Sequence, residues 1–243
     1  MKPGKVVSSS ALRSSLLRGV TRALPIVMGY VPIGFAYGVL ATQAGLSVFN
    51  TVAMSVVVYA GSAQLIGAGL FATGTPALSI VATTFVVNLR HLLFSAALSP
   101  HLKGWRAGEL AIFAYELTDE TFAVHSVRFP TGLPSKAEIF ALNATAQLSW
   151  LIGGWFGAVV GGLIADVRPL ALDYTLPAMF IALLVIQIRA RLEIVIAALT
   201  GLLAVLLTLL GVGRWSVILA TVAGATLGVL LEQLTGGRLE EVA

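Results

Sequence analysis

Eight apolar runs follow one another with only short polar joints between them, at 24–42, 49–71, 76–98, 108–128, 137–164, 171–188, 192–210 and 215–232. About 20 apolar residues in a helix cross the hydrocarbon core of a bilayer. The runs are continuous rather than alternating, which argues against a barrel of tilted strands. An all-α polytopic membrane protein is expected, with about eight (seven or eight) transmembrane helices, some interrupted near mid-membrane. Charge supports this: 11% of the 243 residues are charged and 58% are hydrophobic, whereas soluble domains carry about 25% charged residues. The basic balance is assigned to cytoplasmic loops and not to nucleic acid.

Residues 1–23 hold Lys2, Lys5, Arg13, Arg18 and Arg22, and no apolar core precedes Leu24. They are read as a basic cytoplasmic N-terminal tail with room for a short amphipathic helix, not as a cleaved signal. Residues 24–236 are read as one transmembrane domain. If every run crosses, ten Lys and Arg fall on the side of the N-terminus and four on the other, which places both ends inside. Lys103 and Arg106 are the exceptions. They would move inside if 49–71 entered the membrane and returned on the same side.

Ionisable groups inside these runs are the candidate functional residues. Asn88, Arg90 and His91 sit in the third run, and Glu116, Asp119 and Glu120 in the fourth. One charge at the centre of a membrane helix costs about 2.5–3.5 kcal/mol, so these groups must pair, face water or lie near a surface. Thr84, Asn88, His91 and Ser95 recur at helical spacing and form a polar stripe. The stripe needs a neighbouring helix or a cavity. Arg90 lies off it and requires its own partner. Glu116 and Glu120, four apart, would share a helical face beside Asp119. That crowding prompts a reading of proton coupling, against the alternative that this run is interfacial.

The first run carries Pro25, Gly29, Pro32, Gly34, Phe35 and Gly38. It is either a broken helix that offers backbone groups to a polar ligand or a kinked one that only packs. The second run has Tyr59-Ala60-Gly61-Ser62-Ala63-Gln64, read as an interrupted helix lining a substrate site or as polar glue between helices. Gly153, Gly157 and Gly161 make a small-residue packing face. Asp173 and Pro177 read as a cap and a tolerated kink. No cysteine is present, so no thiolate metal site exists. His91, His101 and His125 could not close a zinc site without carboxylates. No metal or cofactor is expected.

Several stretches resemble the AzlC family, the large subunit of branched-chain amino acid exporters linked to azaleucine resistance. They are Leu24-Pro25, Pro32 to Gly38, Ala60 to Gln64, Asn88-Leu89-Arg90-His91, Ser99-Pro100-His101, Leu117 to Ala123, and Leu176-Pro177-Ala178-Met179-Phe180. They occur in family order across about 24–190. The family pattern has phenylalanine near Ile33 and Tyr37, a mild departure here. The resemblance implies a permease domain over 24–236, in a bacterial inner membrane. It would export valine, leucine or isoleucine beside a small AzlD-type membrane subunit, and it would not be an enzyme. Pro32, Gly34, Phe35, Gly61, Ser62, Gln64, Asn88, Arg90 and His91 are the expected substrate-binding set, with Glu116, Asp119 and Glu120 for coupling or ion pairing. Arg90 would grip the substrate carboxylate or lock to Asp119. Phe35, Tyr59 and Phe180 would wall the aliphatic side chain. The rivals are a scaffold subunit that carries nothing, and an intramembrane hydrolase built on Ser62 and His91.

Overall fold

A computed structural model describes residues 9–164, 191–212 and 215–235, with isolated positions between 169 and 188. Most of the 171–188 run, including Asp173 and Phe180, lies outside the described residues. The described residues contain helices and no strand. Two compact units divide the chain at Ile181.

In the first unit, α1 (Ser9–Gln43) packs on α8 (Lys136–Gly161). At 1.5 Å per residue, α1 runs about 52 Å, longer than the hydrocarbon core. Of the two readings of the first run, a broken helix or one that only packs, the broken one is corrected, as is the start at 24. The helix starts by Ser9 and runs unbroken through Pro25 and Pro32. Its tolerance of proline has a physical source in the seam with α8, where backbone meets backbone. A methyl group on Gly34 would lie 2.9 Å from the Trp150 carbonyl oxygen, and one on Gly153 would lie 2.5 Å from that of Val31. Gly19 faces Glu138 and Gly38 faces Gly154. Numbers rise together along both helices, so α1 and α8 run parallel.

Between them lie two helical hairpins. The first joins α2 (Val48–Val57) to α3 (Gly61–Ala72). Its arms fold back: Gln64 donates to Ser55 at 2.9 Å, and Gly67 lies against Met54. Phe71 returns to the level of Gly45, where α1 ends. The second joins α6 (Ala107–Tyr115) to α7 (Asp119–Arg128). Lys136, at the start of α8, pairs with Glu109 at the start of α6 at 2.5 Å. Arg128, at the end of α7, meets Glu138 at 3.3 Å. Both arms of this hairpin thus begin and end at the level where α8 starts. Each arm has nine to twelve residues, so it reaches only about half of the roughly 20 residues a crossing needs.

The runs at 49–71 and 108–128 are each a hairpin of two half-length helices, with bases at opposite ends of α1, as the re-entrant alternative for 49–71 anticipated; neither is one full-length helix, and eight full spans are not seen among the described residues. The stretch that crosses between the hairpins is α4 (Ala77–Asn88) with α5 (Arg90–Leu98) and a 3₁₀ turn over Ser99–Leu102. Its outer side is apolar and exposed, with Leu78, Phe85, Leu92 and Leu93 each two-thirds or more uncovered. In a membrane protein that side faces lipid. By length and apolarity, Ser9–Gln43, Ala77–Leu102 and Arg191–Leu209 qualify as membrane spans.

The end of the molecule that carries the second hairpin's base is basic. Lys136 lies over the Trp105 ring at 5.0 Å, which brings the 103–106 turn to the same end as Arg18, Arg22 and Arg128. Lys103 and Arg106 cease to be exceptions.

The second unit pairs α9 (Arg191–Leu209) with α10 (Trp215–Thr235). They run antiparallel, Gly224 against Thr200 and Gly228 against Ile196. Thr208 donates to the Ser216 hydroxyl at 2.9 Å.

Candidate functional site

The tips of the two hairpins meet beside the junction of α4 and α5. At the first tip the chain turns through Val58, Tyr59 and Ala60. Tyr59 has φ +38°, a left-handed conformation that is strained for a bulky residue. Gly61 then opens α3 directly beneath the Trp150 indole, where a methyl group would come within 2.8 Å of the ring. No side chain caps the α3 N-terminus.

At the second tip, Thr118 caps α7 through a reciprocal pair with Thr121. This puts Asp119 and Glu120 in the first turn, where the helix dipole favours acids. The helix ends at Tyr115 and resumes at Asp119, so Glu116 and Glu120 do not share one helical face, contrary to the sequence expectation. The third element keeps its direction. Around Leu89 the ladder tightens to i→i+3 bonds, Leu89 to Val86 and Leu92 to Leu89.

Arg90, the first residue of α5, ties both tips together. It forms an ion pair with Asp119 at 2.9 Å and donates a short hydrogen bond to the Ser62 hydroxyl. Tyr30 of α1 donates to Glu120 at 2.5 Å and lies 2.7 Å from the Thr118 hydroxyl. Tyr115 donates to the Val56 carbonyl, left over at the end of α2, and accepts from Gln147 at 2.7 Å. Trp150 sets its ring edge-on to Tyr30 at 5.4 Å and stacks on Tyr37 at 6.0 Å. Four buried polar atoms around the tips lack partners among the described residues: Tyr59 Oη, Asn88 Oδ1, Arg90 Nε and Glu116 Oε2. Each such atom costs about 1–3 kcal/mol when unsatisfied.

Of the twelve site residues read from sequence, Gly61, Ser62, Arg90, His91, Asp119 and Glu120 line one cavity. Gln64 sits one turn below it with both ends of its amide used, donating to Ser55 at 2.9 Å and accepting from Trp150 at 3.0 Å. Asn88 lines a second cavity of about 330 Å³ with Phe85, His91, Leu92, Ser95 and Ala114. Glu116 is buried beside Asn143, whose amide oxygen lies 2.9 Å from His125 Nε2. Pro32, Gly34 and Phe35 are not in the cavity: Pro32 is exposed, Gly34 lies in the α8 seam and Phe35 packs on Phe156 at 5.6 Å. Tyr30, Thr118 and Trp150 line the cavity without having been picked out. Thr118 could have been found, since a threonine followed by two acids is a helix-start signature. Tyr30 gave no such signal. Ser62 and His91 share the cavity, but the serine hydroxyl bonds Arg90, and His91 Nδ1 meets the Asn88 carbonyl at 3.0 Å.

The central cavity is small, about 10 Å³, room for one water. Ligand pockets start near 300 Å³, so this arrangement is a closed one. Fold and site together define a multi-pass, all-α membrane protein with a charged polar centre between two opposed re-entrant hairpins. A family model described as AzlC protein matches residues 25–164, and the chain belongs to the AzlC family. It is 30% identical over 224 residues to the inner membrane protein YgaZ of Escherichia coli, with 89% of each chain covered. An uncharacterized membrane protein of Archaeoglobus fulgidus is 29% identical over 221 residues, covering 90% of this chain and 96% of that one. The branched-chain amino acid transport protein AzlC of Bacillus subtilis is 26% identical over 165 residues, covering 68% and 64%. No solved structure matches.

Proposed function

We propose that the chain is an inner-membrane permease that exports valine, leucine and isoleucine. It works as the large subunit beside a small AzlD-type partner, with residues 24–236 as one permease domain. The observation that carries the reading is the Arg90 bridge between the two hairpin tips, with Asp119 on one side and Ser62 on the other. The substrate class is that of the Bacillus subtilis relative, a branched-chain amino acid transport protein.

An amino acid brings a carboxylate, an ammonium and an aliphatic side chain. The uncapped start of α3 offers the Gly61 and Ser62 N–H groups to the carboxylate, and Arg90 adds a charge-assisted donor. Asp119 and Glu120 take the ammonium. The side chain lies among Tyr59, Tyr30 and Trp150. One methylene is worth about 1–3 kcal/mol in such a pocket, so the three amino acids compete. Because the site is closed, loading requires a hairpin tip to withdraw toward its own face. Withdrawal of one tip opens one side only, since the hairpins enter from opposite faces, and this supports alternating access. The basic end, with the 1–23 tail, lies in the cytoplasm. Protons couple to the cycle through Glu116, Asp119 and Glu120, the last two exchanging partners as the tips part.

Efflux tests this. Cells are loaded with a valine-containing dipeptide, and valine release is followed for Arg90→Ala and Asp119→Asn. Release is expected to fall to the level of cells lacking the protein. Wild-type release at wild-type protein levels would remove both residues from the mechanism.

A further inference from the structure

At the basic end, three arginines converge on one buried carboxylate. Arg18 and Arg22 of α1 reach Glu138 through Nε at 3.1 and 3.2 Å, and Arg128 reaches it through Nη2 at 3.3 Å. Glu138 is 6% exposed. The arginine side chains are 50%, 39% and 28% exposed, in the same order. One negative charge cannot balance three positive ones, so the group carries a surplus of two. Glu109, also at this end, pairs with Lys136 at 2.5 Å.

Donor capacity points the same way. A guanidinium has five N–H donors. Arg18 uses one further nitrogen on the Ser15 hydroxyl at 3.0 Å. Arg128 Nε is buried and partnerless. Arg18 Nε is aligned for a hydrogen bond to Glu138 Oε2, whereas Arg22 and Arg128 come within ion-pair distance of Oε1, an oxygen without an aligned donor, so donors remain for another acceptor.

Depth identifies the acceptor. Arg22 precedes Tyr30 by eight residues on one continuous helix, about 12 Å along its axis. Tyr30 belongs to the central site, and half the hydrocarbon core is about 15 Å thick. Arg18, twelve residues before Tyr30, lies about 18 Å out, so the two backbone positions straddle the edge of the hydrocarbon core and their long side chains reach the headgroup level. Phosphate is the acceptor found there, and arginine is suited to it.

We propose that Arg18, Arg22 and Arg128, held together by Glu138, bind the phosphate of an anionic lipid headgroup. Glu138 fixes the three side chains in one place and leaves them with net positive charge.

Native mass spectrometry of the full chain, released from detergent with an equimolar mixture of dioleoyl phosphatidylglycerol and dioleoyl phosphatidylcholine, tests this. The wild type is expected to retain phosphatidylglycerol preferentially. Arg18→Gln/Arg22→Gln is expected to lose that preference by about tenfold or more. Lys103→Gln/Arg106→Gln, which removes equal charge from the same end, is expected to keep it. Equal retention of both lipids by the wild type, or an equal loss in both double variants, overturns the site. Inorganic phosphate added before release is expected not to displace the lipid. Displacement would reassign the arginines to a free anion and overturn the lipid proposal. A melting scan of each variant identifies one that has simply unfolded. In that case Arg22→Gln alone is expected to lose part of the preference, and full preference there counts against the proposal.

Discussion

Removing Arg90 is the perturbation that bears most directly on how the site is held. Its ion pair with Asp119 is 2.9 Å long, and the side chains are 22% and 13% exposed. The pair is thus largely but not fully covered. Removing one partner of a buried pair costs about 3–5 kcal/mol, because the other charge is stranded. Partial exposure selects the lower figure, about 3 kcal/mol. For a chain of this size 1 kcal/mol shifts the melting temperature by about 2–4 °C, so Arg90→Ala is expected to melt about 6–12 °C lower in detergent. Asp119→Ala strands the arginine instead and is expected to lose a similar amount. The double variant strands neither charge. It is expected to melt no lower than either single variant, and the cycle then returns a coupling of about 3 kcal/mol. The assay is a melting series on four purified proteins. Additive losses, or a drop below about 2 °C for Arg90→Ala, would refute the claim that this pair holds the second hairpin tip to α5.

Two further predictions concern the fold. The chain has no cysteine, so single introduced cysteines report topology without background. Gly74→Cys is expected to label from the face opposite to Gly104→Cys and Gly132→Cys, which label together; eight full spans would put 74 and 132 on one face and 104 on the other. In the α1–α8 seam, Gly153→Leu drives its side chain into the Val31 backbone and is expected to cost about 3 kcal/mol or more, read as lost protein in membranes. Gly29→Ala, with nothing within 4 Å of the added methyl, is expected to accumulate normally and to gain up to about 1 kcal/mol from helix propensity.

Sequence carried the segments well and their directions poorly. Apolar runs read as helices because hydropathy averages about 19 residues. That average cannot distinguish a rod from two half-length arms joined by Tyr59-Ala60 or Leu117-Thr118, since these tips are themselves largely apolar. The helix start at Thr118 was written in the side chains, yet the surrounding apolarity masked it. Pro25 and Pro32 misled in the other direction: proline removes one hydrogen bond, and the glycine seam with α8 holds the helix regardless. Arg90 and Asp119 were legible because a charge in lipid demands a partner, and Ser62 because a hydroxyl there can hydrogen-bond across helices. Tyr30 and Trp150 were not, because an aromatic residue in an apolar run has no cost that marks it. The misplaced Lys103 and Arg106 were the best clue that 49–71 turns back.

The glycine seam also decides which parts of the molecule can move. Where main chain touches main chain, no rotamer can yield and no side chain can swing aside. Sliding α1 past α8 by even one residue would drive carbonyls into Cα atoms. The pair is therefore a fixed mast, and any working stroke falls to the short arms on either side of it, whose tips are tied by a handful of polar contacts that can be exchanged one at a time.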